Sequence, residues 1–477
     1  MKKKSSILMA ASEVVPFAGT GGLGEVIGSL PKKIMEQAED LDVRVVMPLY
    51  GQIDDKHRKK MKFLGSTYIQ VAWRNLYAGV FQLRHNGVIH YFIDNEYYFK
   101  RPGSIYGFFD ECERFAFFSK AVIDCLPLME FEPDIIHAHD WQTAMVPVYQ
   151  STVEGYPPRK TVFTIHNVEY QGRYGMEVLG DVLGIDKSKK HLLEYNRDIN
   201  LMKGAIETAN IVSTVSPSYA QELKDPFFAH GLAPIIRRND QKLRGILNGI
   251  DTTVYDPKTD DLTFAKYSVT APARKKRNKE CLQKMLNLPV EKDIPILAVI
   301  SRLVPHKGMD LVMKSLERLL GEEDFQLVIL GTGEARYENF FSMMASYYPD
   351  RIAALIKFDR ELSHKIYAGS DILLMPSKSE PCGLSQMIAC RYGVVPIVRE
   401  TGGLKDSIKD CSLGKGDGFT FAHYNENDFY EAVKRAISLY GNKENWMKLM
   451  KHNMRLKFGW DVSAKKYAKM YGELLNN

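Results

Sequence analysis

Thr20-Gly21-Gly22-Leu23 recurs as Thr401-Gly402-Gly403-Leu404, and each copy stands between a predicted strand and a predicted helix. Consecutive glycines let the backbone approach a ligand closely, and the N-terminus of the following helix offers N–H groups with a partial positive charge. Two such turns predict a nucleotide-type anion served by two α/β domains. A Gly-Gly pair that merely caps a strand is the alternative for either copy alone.

Outward from these turns, short Val- and Ile-rich runs alternate with longer stretches of helical period, as in parallel sheets covered on both faces. The first half has its clearest strands at 6–11, 43–48, 134–139, 161–166 and 211–216. Runs at 80–84 and 88–93 flank Asn86-Gly87, which predicts an antiparallel hairpin within this half. A second series follows at 295–301, 326–330, 352–358, 372–376 and 394–398. The fold class expected is therefore α/β, with two doubly wound, Rossmann-like domains. A polar, Lys/Arg-rich stretch at 256–278 reads as the linker, which puts the domains at 1–265 and 266–459. Apolar residues at helical spacing after Trp460 predict a terminal helix, 460–477, that returns to pack on the first domain.

The 477 residues exceed one ordinary core, given roughly 100–200 residues per domain. No apolar run approaches the roughly 20 residues that span a bilayer. Lys2 to Lys4 before an apolar run imitate a signal peptide, but Ser5 and Ser6 dilute the run and Glu13 ends it. A first strand after a basic start, in a cytoplasmic protein, is the expectation. Six cysteines without Cys-x-x-Cys spacing fit a reducing compartment. The net charge of +6 comes without an aromatic platform or a nucleic-acid fold signature, so an anionic small molecule is the expected partner.

Ligands of open α/β sheets sit beyond the carboxyl ends of the strands. That rule selects four groups. In the first, Lys378-Ser379-Glu380-Pro381-Cys382-Gly383-Leu384-Ser385-Gln386 leads from a strand through a turn into a helix. Glu380 there suits sugar hydroxyls or positive charge at an anomeric carbon, and the N–H groups of Gly383, Leu384 and Ser385 open the helix. In the second, Arg302 and Lys307 combine a planar fork and a point charge, two complementary ways to hold a diphosphate. In the third and fourth, His137-Ala138-His139-Asp140-Trp141 and Thr164-Ile165-His166-Asn167 invite a zinc reading, but no further ligand of typical spacing completes a set. His166 and Asp140 as partners of sugar hydroxyls are the better reading. Tyr98, Phe99 and Tyr106, around Arg101-Pro102-Gly103, are candidates to stack on glucan rings, with local packing as the alternative.

These motifs, in this order, resemble the bacterial glycogen and starch synthase family nearly end to end. The resemblance rests on residues 11–16, the first Thr-Gly-Gly-Leu, 137–141, 164–167, Tyr170-Gln171-Gly172 and 247–251. In the second half it rests on 301–307, 330–333, 376–386 and the second Thr-Gly-Gly-Leu. It implies the GT-B arrangement of two Rossmann-like domains facing a cleft. It also implies retaining transfer of glucose from ADP-glucose to the non-reducing 4-hydroxyl of an α-1,4-glucan, with no cofactor and no metal. By motif, Arg302 and Lys307 would hold the leaving diphosphate, Glu380 the glucosyl hydroxyls, and His166 with Asp140 would orient the sugar. Donor contacts would come from Thr20, Gly21, Gly22, Asn248, Gly383, Leu384, Ser385, Thr401 and Gly402, with Phe358 against the base.

One departure bears on the donor. The family usually has Lys before Thr-Gly-Gly-Leu, where this chain has Gly19, and Glu25 stands where Asp is common. UDP-glucose as donor, or a catalytically weak sugar-nucleotide or glucan binder, are the alternatives this leaves. A nicotinamide-dependent dehydrogenase is a further alternative, since doubly wound sheets also bind dinucleotides. Front-face transfer and double displacement through Glu380 both retain configuration.

Overall fold

The computed structural model describes residues 4–476, so Lys2 and Lys3 of the basic start and Asn477 lie outside the described residues. The chain divides into two units, Met1–Gly249 with Trp460–Asn477, and Ile250–Gly459.

In the first unit β1 (Ser5–Ala10), β2 (Leu41–Pro48), β3 (Lys62–Val71), β4 (Arg74–His85), β5 (Val88–Asp94), β6 (Ile135–His139), β7 (Lys160–Ile165), β8 (Ile211–Thr214) and β9 (Leu243–Gly245) form one sheet. Its order is β9-β8-β7-β6-β1-β2-β5-β4-β3. Strands β9 to β5 in that order pair in parallel, whereas β5-β4-β3 is antiparallel. Asn86 and Gly87 take φ of 48° and 86°, the two left-handed residues that a tight hairpin turn requires. The order reverses at β1, so the turns after β1 and β6 lie at the switch point where open α/β sheets take their ligands.

The helix Trp460–Asn476 belongs to this unit. It buries Trp460, Ala464, Tyr467, Tyr471 and Leu474 at helical spacing and packs on the helix Gly22–Gln37. The Tyr471 hydroxyl lies 2.7 Å from His137 Nδ1, and Ser463 Oγ donates to the Leu247 carbonyl.

The second unit has a parallel sheet of β10 (Ile296–Ile300), β11 (Gln326–Leu330), β12 (Ile352–Leu355), β13 (Ile372–Met375), β14 (Val395–Arg399) and β15 (Phe419–Phe421), in the order β12-β11-β10-β13-β14-β15. Val299, Ile329, Ile372 and Ile397 pack with Val312, Leu316, Phe429 and Val433 from covering helices.

The unit begins at Ile250 and not near residue 266, because the basic stretch expected to be a linker is built into its core. Asp260 Oδ2 lies 2.8 Å from His364 Nδ1, and the buried Tyr267 donates to the Tyr392 carbonyl at 2.7 Å. Lys275 Nζ donates to the Ala368 carbonyl at 2.8 Å, and Lys279 pairs with Asp371 at 2.9 Å. Buried charges with partners look like a solvated run when only composition is read. No described helix is long and apolar enough to cross a membrane.

Candidate active site

In the first unit the turn after β1 carries Glu13, whose buried carboxylate gathers the first Thr-Gly-Gly-Leu. Oε2 accepts from the Thr20 and Gly21 N–H groups at 2.6 and 3.1 Å. Oε1 accepts from Thr20 Oγ1 at 2.9 Å and from the Tyr106 hydroxyl at 2.8 Å. Gly21, the N-cap of the helix Gly22–Gln37, has no capping side chain of its own. An anion that the chain itself supplies thus takes the Thr20 and Gly21 N–H groups, and it suits the positive end of the helix. Thr20, Gly21 and Gly22 are exposed, and a Cβ at Gly21 or Gly22 would meet nothing within 4 Å. Their outer face is open. Glu13 lies in the 11–16 stretch that carries the family resemblance, where the sequence alone assigns it no role.

At the ends of β6 and β7, His137, His139 and His166 form a column with ring centroids 4.0 and 5.3 Å apart. His137 Nε2 is 2.6 Å from Thr164 Oγ1, and His139 Nδ1 is 3.0 Å from His166 Nε2. Burial pushes His137 and His166 down to about 3 and His139 well below its ordinary value, so the column is neutral at pH 7. His139 Nε2 is buried with no partner among the described residues. A buried N–H without an acceptor costs more than an unused lone pair, so the His139 proton belongs on Nδ1. His166 then accepts through Nε2 and keeps its own proton on Nδ1.

Asp140 Oδ1 accepts from the His166 N–H at 2.7 Å and the Asn167 N–H at 3.4 Å. Its φ of 57° is a left-handed value that a non-glycine residue adopts only where neighbouring bonds hold it. Burial raises its carboxyl to about 7, the two N–H bonds oppose that, and the Glu13 charge adds to it. Asp140 and His166 are thus brought together. Asn248 is 6% exposed, and its Oδ1 has no partner among the described residues.

The expected stacking rings are corrected. Tyr98 and Phe99 are 0% and 1% exposed and pack on Phe117, so neither offers a face to a sugar. Tyr106 is half-buried, with its hydroxyl on Glu13 and Ser12.

In the second unit the turn after β13 and the loop after β10 meet. Lys307 Nζ spans both oxygens of the buried Glu380 at 2.8 and 2.6 Å, and Ser377 Oγ donates to it at 3.0 Å. Gly308 has φ 76°, and a Cβ there would lie 2.0 Å from the Pro376 carbonyl, so only glycine allows this approach. Arg302 is exposed and makes no side-chain bond among the described residues. Gly383, Leu384 and Ser385 are half-buried at the start of the short helix Ser385–Arg391, and Phe358 is 88% exposed.

The second Thr-Gly-Gly-Leu differs from the first. Thr401 and Gly402 are buried, a Cβ on Gly402 would lie 2.0 Å from the Glu380 carbonyl, and the Gly403 N–H donates to that carbonyl at 3.1 Å. These residues are buried against the Glu380 turn and brace it, in contrast to the exposed first copy.

Residues 6–238 match the family described as starch synthase catalytic domain, and residues 284–452 match glycosyl transferases group 1. The glycogen synthase of Anoxybacillus flavithermus is 46% identical over 478 residues, covering 98% of this chain and 98% of that protein. That of Alkaliphilus metalliredigens is 47% identical over 478 residues, covering 98% and 99%. Among solved structures, the catalytic domain of starch synthase IV from Arabidopsis thaliana, bound to ADP and acarbose, gives a TM-score of 0.92 at 34% identity, with 100% of both chains covered. Sucrose-phosphate synthase from Thermosynechococcus elongatus shares the fold, with a TM-score of 0.63 at 16% identity over 99% of this chain and 100% of that one.

Proposed function

The chain belongs to the glycogen and starch synthase family, and from that membership and the site geometry we propose that it elongates an α-1,4-glucan with glucose from ADP-glucose, retaining configuration. Its fold is the GT-B type. The observation that carries the reading is the loop-and-turn pair of the second unit, where the exposed Arg302 fork stands five residues from a Lys307 bound to Glu380.

Lys307 is the cation that a phosphate group can draw from Glu380. When the donor diphosphate takes up that cation together with Arg302, the Glu380 carboxylate is released to accept glucosyl hydroxyls and face positive charge at the anomeric carbon. The anomeric C–O bond to the diphosphate then breaks, and the charge passing to the leaving oxygen is neutralised by Arg302 and Lys307. The acceptor 4-hydroxyl attacks the same face and gives its proton to the departing phosphate oxygen. Gly383, Leu384, Ser385 and Phe358 are assigned to the donor on the second unit. Thr20, Gly21, Gly22 and Asn248 keep a donor role on the first, where His166 and Asp140 orient the sugar.

The test is elongation of glycogen with ADP-glucose and UDP-glucose, run with wild type and Glu380→Gln. Elongation with ADP-glucose preferred, and loss of about a hundredfold or more in kcat for the variant, is expected. Near-wild-type turnover by Glu380→Gln at saturating donor and glucan overturns the role of Glu380. Donor binding without elongation by the wild type overturns the reaction.

A further inference from the structure

Between β1 and the helix Gly22–Gln37, Glu13 is the one charged side chain. It is 5% exposed, and no cation pairs with it among the described residues. Taking a carboxylate out of water is costly unless its oxygens are bonded, and here four donors do this. Three of the four come from Thr20 and Gly21, which are exposed and belong to no hydrophobic core. The fourth comes from Tyr106, 93 residues away in sequence, whose hydroxyl also meets Ser12 Oγ at 2.7 Å. A buried charge spent on ordering a surface turn contributes little to stability. What it does secure is the conformation of that turn.

We infer that Glu13 is a positioning residue for glucosyl transfer, fixing the first Thr-Gly-Gly-Leu turn so that Gly21 and Gly22 present an open backbone face to the donor. This rests on the donor role proposed above for that turn. Because the Glu13 oxygens already hold four donors, its charge is turned inward to the loop and its repulsion of a diphosphate is reduced. Tyr106 sets the carboxylate from the other side.

Glu13→Gln keeps the volume but removes the charge. With its amide oxygen on the Thr20 and Gly21 N–H groups, its NH2 must turn to the Thr20 and Tyr106 hydroxyls, so every bond loses its charge assistance and the turn is held more weakly. The expected result is a KM for ADP-glucose raised roughly tenfold or more, with kcat at saturating donor within about twofold of wild type and Tm within a few degrees. Tyr106→Phe, which leaves Thr20 and Gly21 bound, should shift the same KM less. Gly22→Ala separates this inference from the reading beneath it, since its Cβ enters open space and touches no Glu13 bond. If Gly22→Ala raises the donor KM and Glu13→Gln does not, or if Glu13→Gln lowers Tm with KM unchanged, the positioning role is overturned while the turn keeps its donor role. If Gly22→Ala leaves KM unchanged, the turn does not meet the donor and both fall.

Discussion

A Cβ at Gly19 would lie 3.0 Å from Val15 Cγ2 and 3.8 Å from Glu13 Oε2, and its φ is not in the left-handed region. A side chain is therefore admitted there with a small shift of Val15, so the lack of the family's Lys is a matter of chemistry and not of space. Gly19→Lys should fold with nearly unchanged Tm and lower the KM for ADP-glucose, by up to about tenfold for one charged hydrogen bond regained, as read by steady-state kinetics with both donors. An unchanged KM would show that the Glu13-held turn already supplies what the Lys does elsewhere. Single residues also mark where sequence reading stops. Asp140, His166, Lys307 and Glu380 were legible because each follows a recognisable strand. Glu13 was not, since its partners exist only once residues 20, 21 and 106 have been folded around it. Tyr98 and Phe99 look like the exposed rings of a loop but are drawn under by Phe117, a contact that no local pattern announces.

Among the elements, the hairpin was announced by Asn86-Gly87, whereas its neighbour β3 was not. Its residues are largely exposed on both faces at its start, so the alternation that betrays a half-buried strand is missing. The β6 and β7 ends carry a different consequence. His137 and His166 bind protons only near pH 3 when folded but near 6.5 when unfolded, so between these values the unfolded chain holds more protons. Stability must then rise with pH across that window, by about 1.4 kcal/mol per pH unit for each histidine. Asp140, raised to about 7, works in the opposite sense, since the folded state holds its proton and loses stability as pH rises toward 7. The histidines whose pKa is lowered by burial outnumber the one carboxyl raised by it. Tm should fall as pH is lowered from 6.5 toward 4, and His137→Gln should flatten that slope in thermal melts taken across the range.

At the scale of the whole molecule, two largely parallel sheets followed from the alternation of apolar runs, and the return of the helix after Trp460 followed from its spacing. The position of the boundary did not, because Lys275 and Lys279 read as surface charge until Ala368 and Asp371 are found against them. The helix Trp460–Asn476 puts Trp460, Tyr467, Tyr471 and Leu474 into the first unit. At roughly 1.5–3 kcal/mol for each large apolar side chain, their loss rivals the 5–15 kcal/mol of a typical domain. Deleting residues 460–476 should therefore unfold or strongly destabilise the first unit while the second keeps its own transition, a separation that calorimetry resolves.

The same helix sets an order on the birth of the protein. During synthesis the second unit has all its strands once residue 421 has emerged, yet the first, begun earlier, lacks the Tyr471 partner of His137 until the chain reaches its final helix. Domains ordinarily complete themselves from the N-terminus as they emerge. Here the earlier half must wait, with the face of Gly22–Gln37 on which the last helix packs uncovered for the time it takes to translate some two hundred residues, and it is that half which a chaperone would be expected to hold.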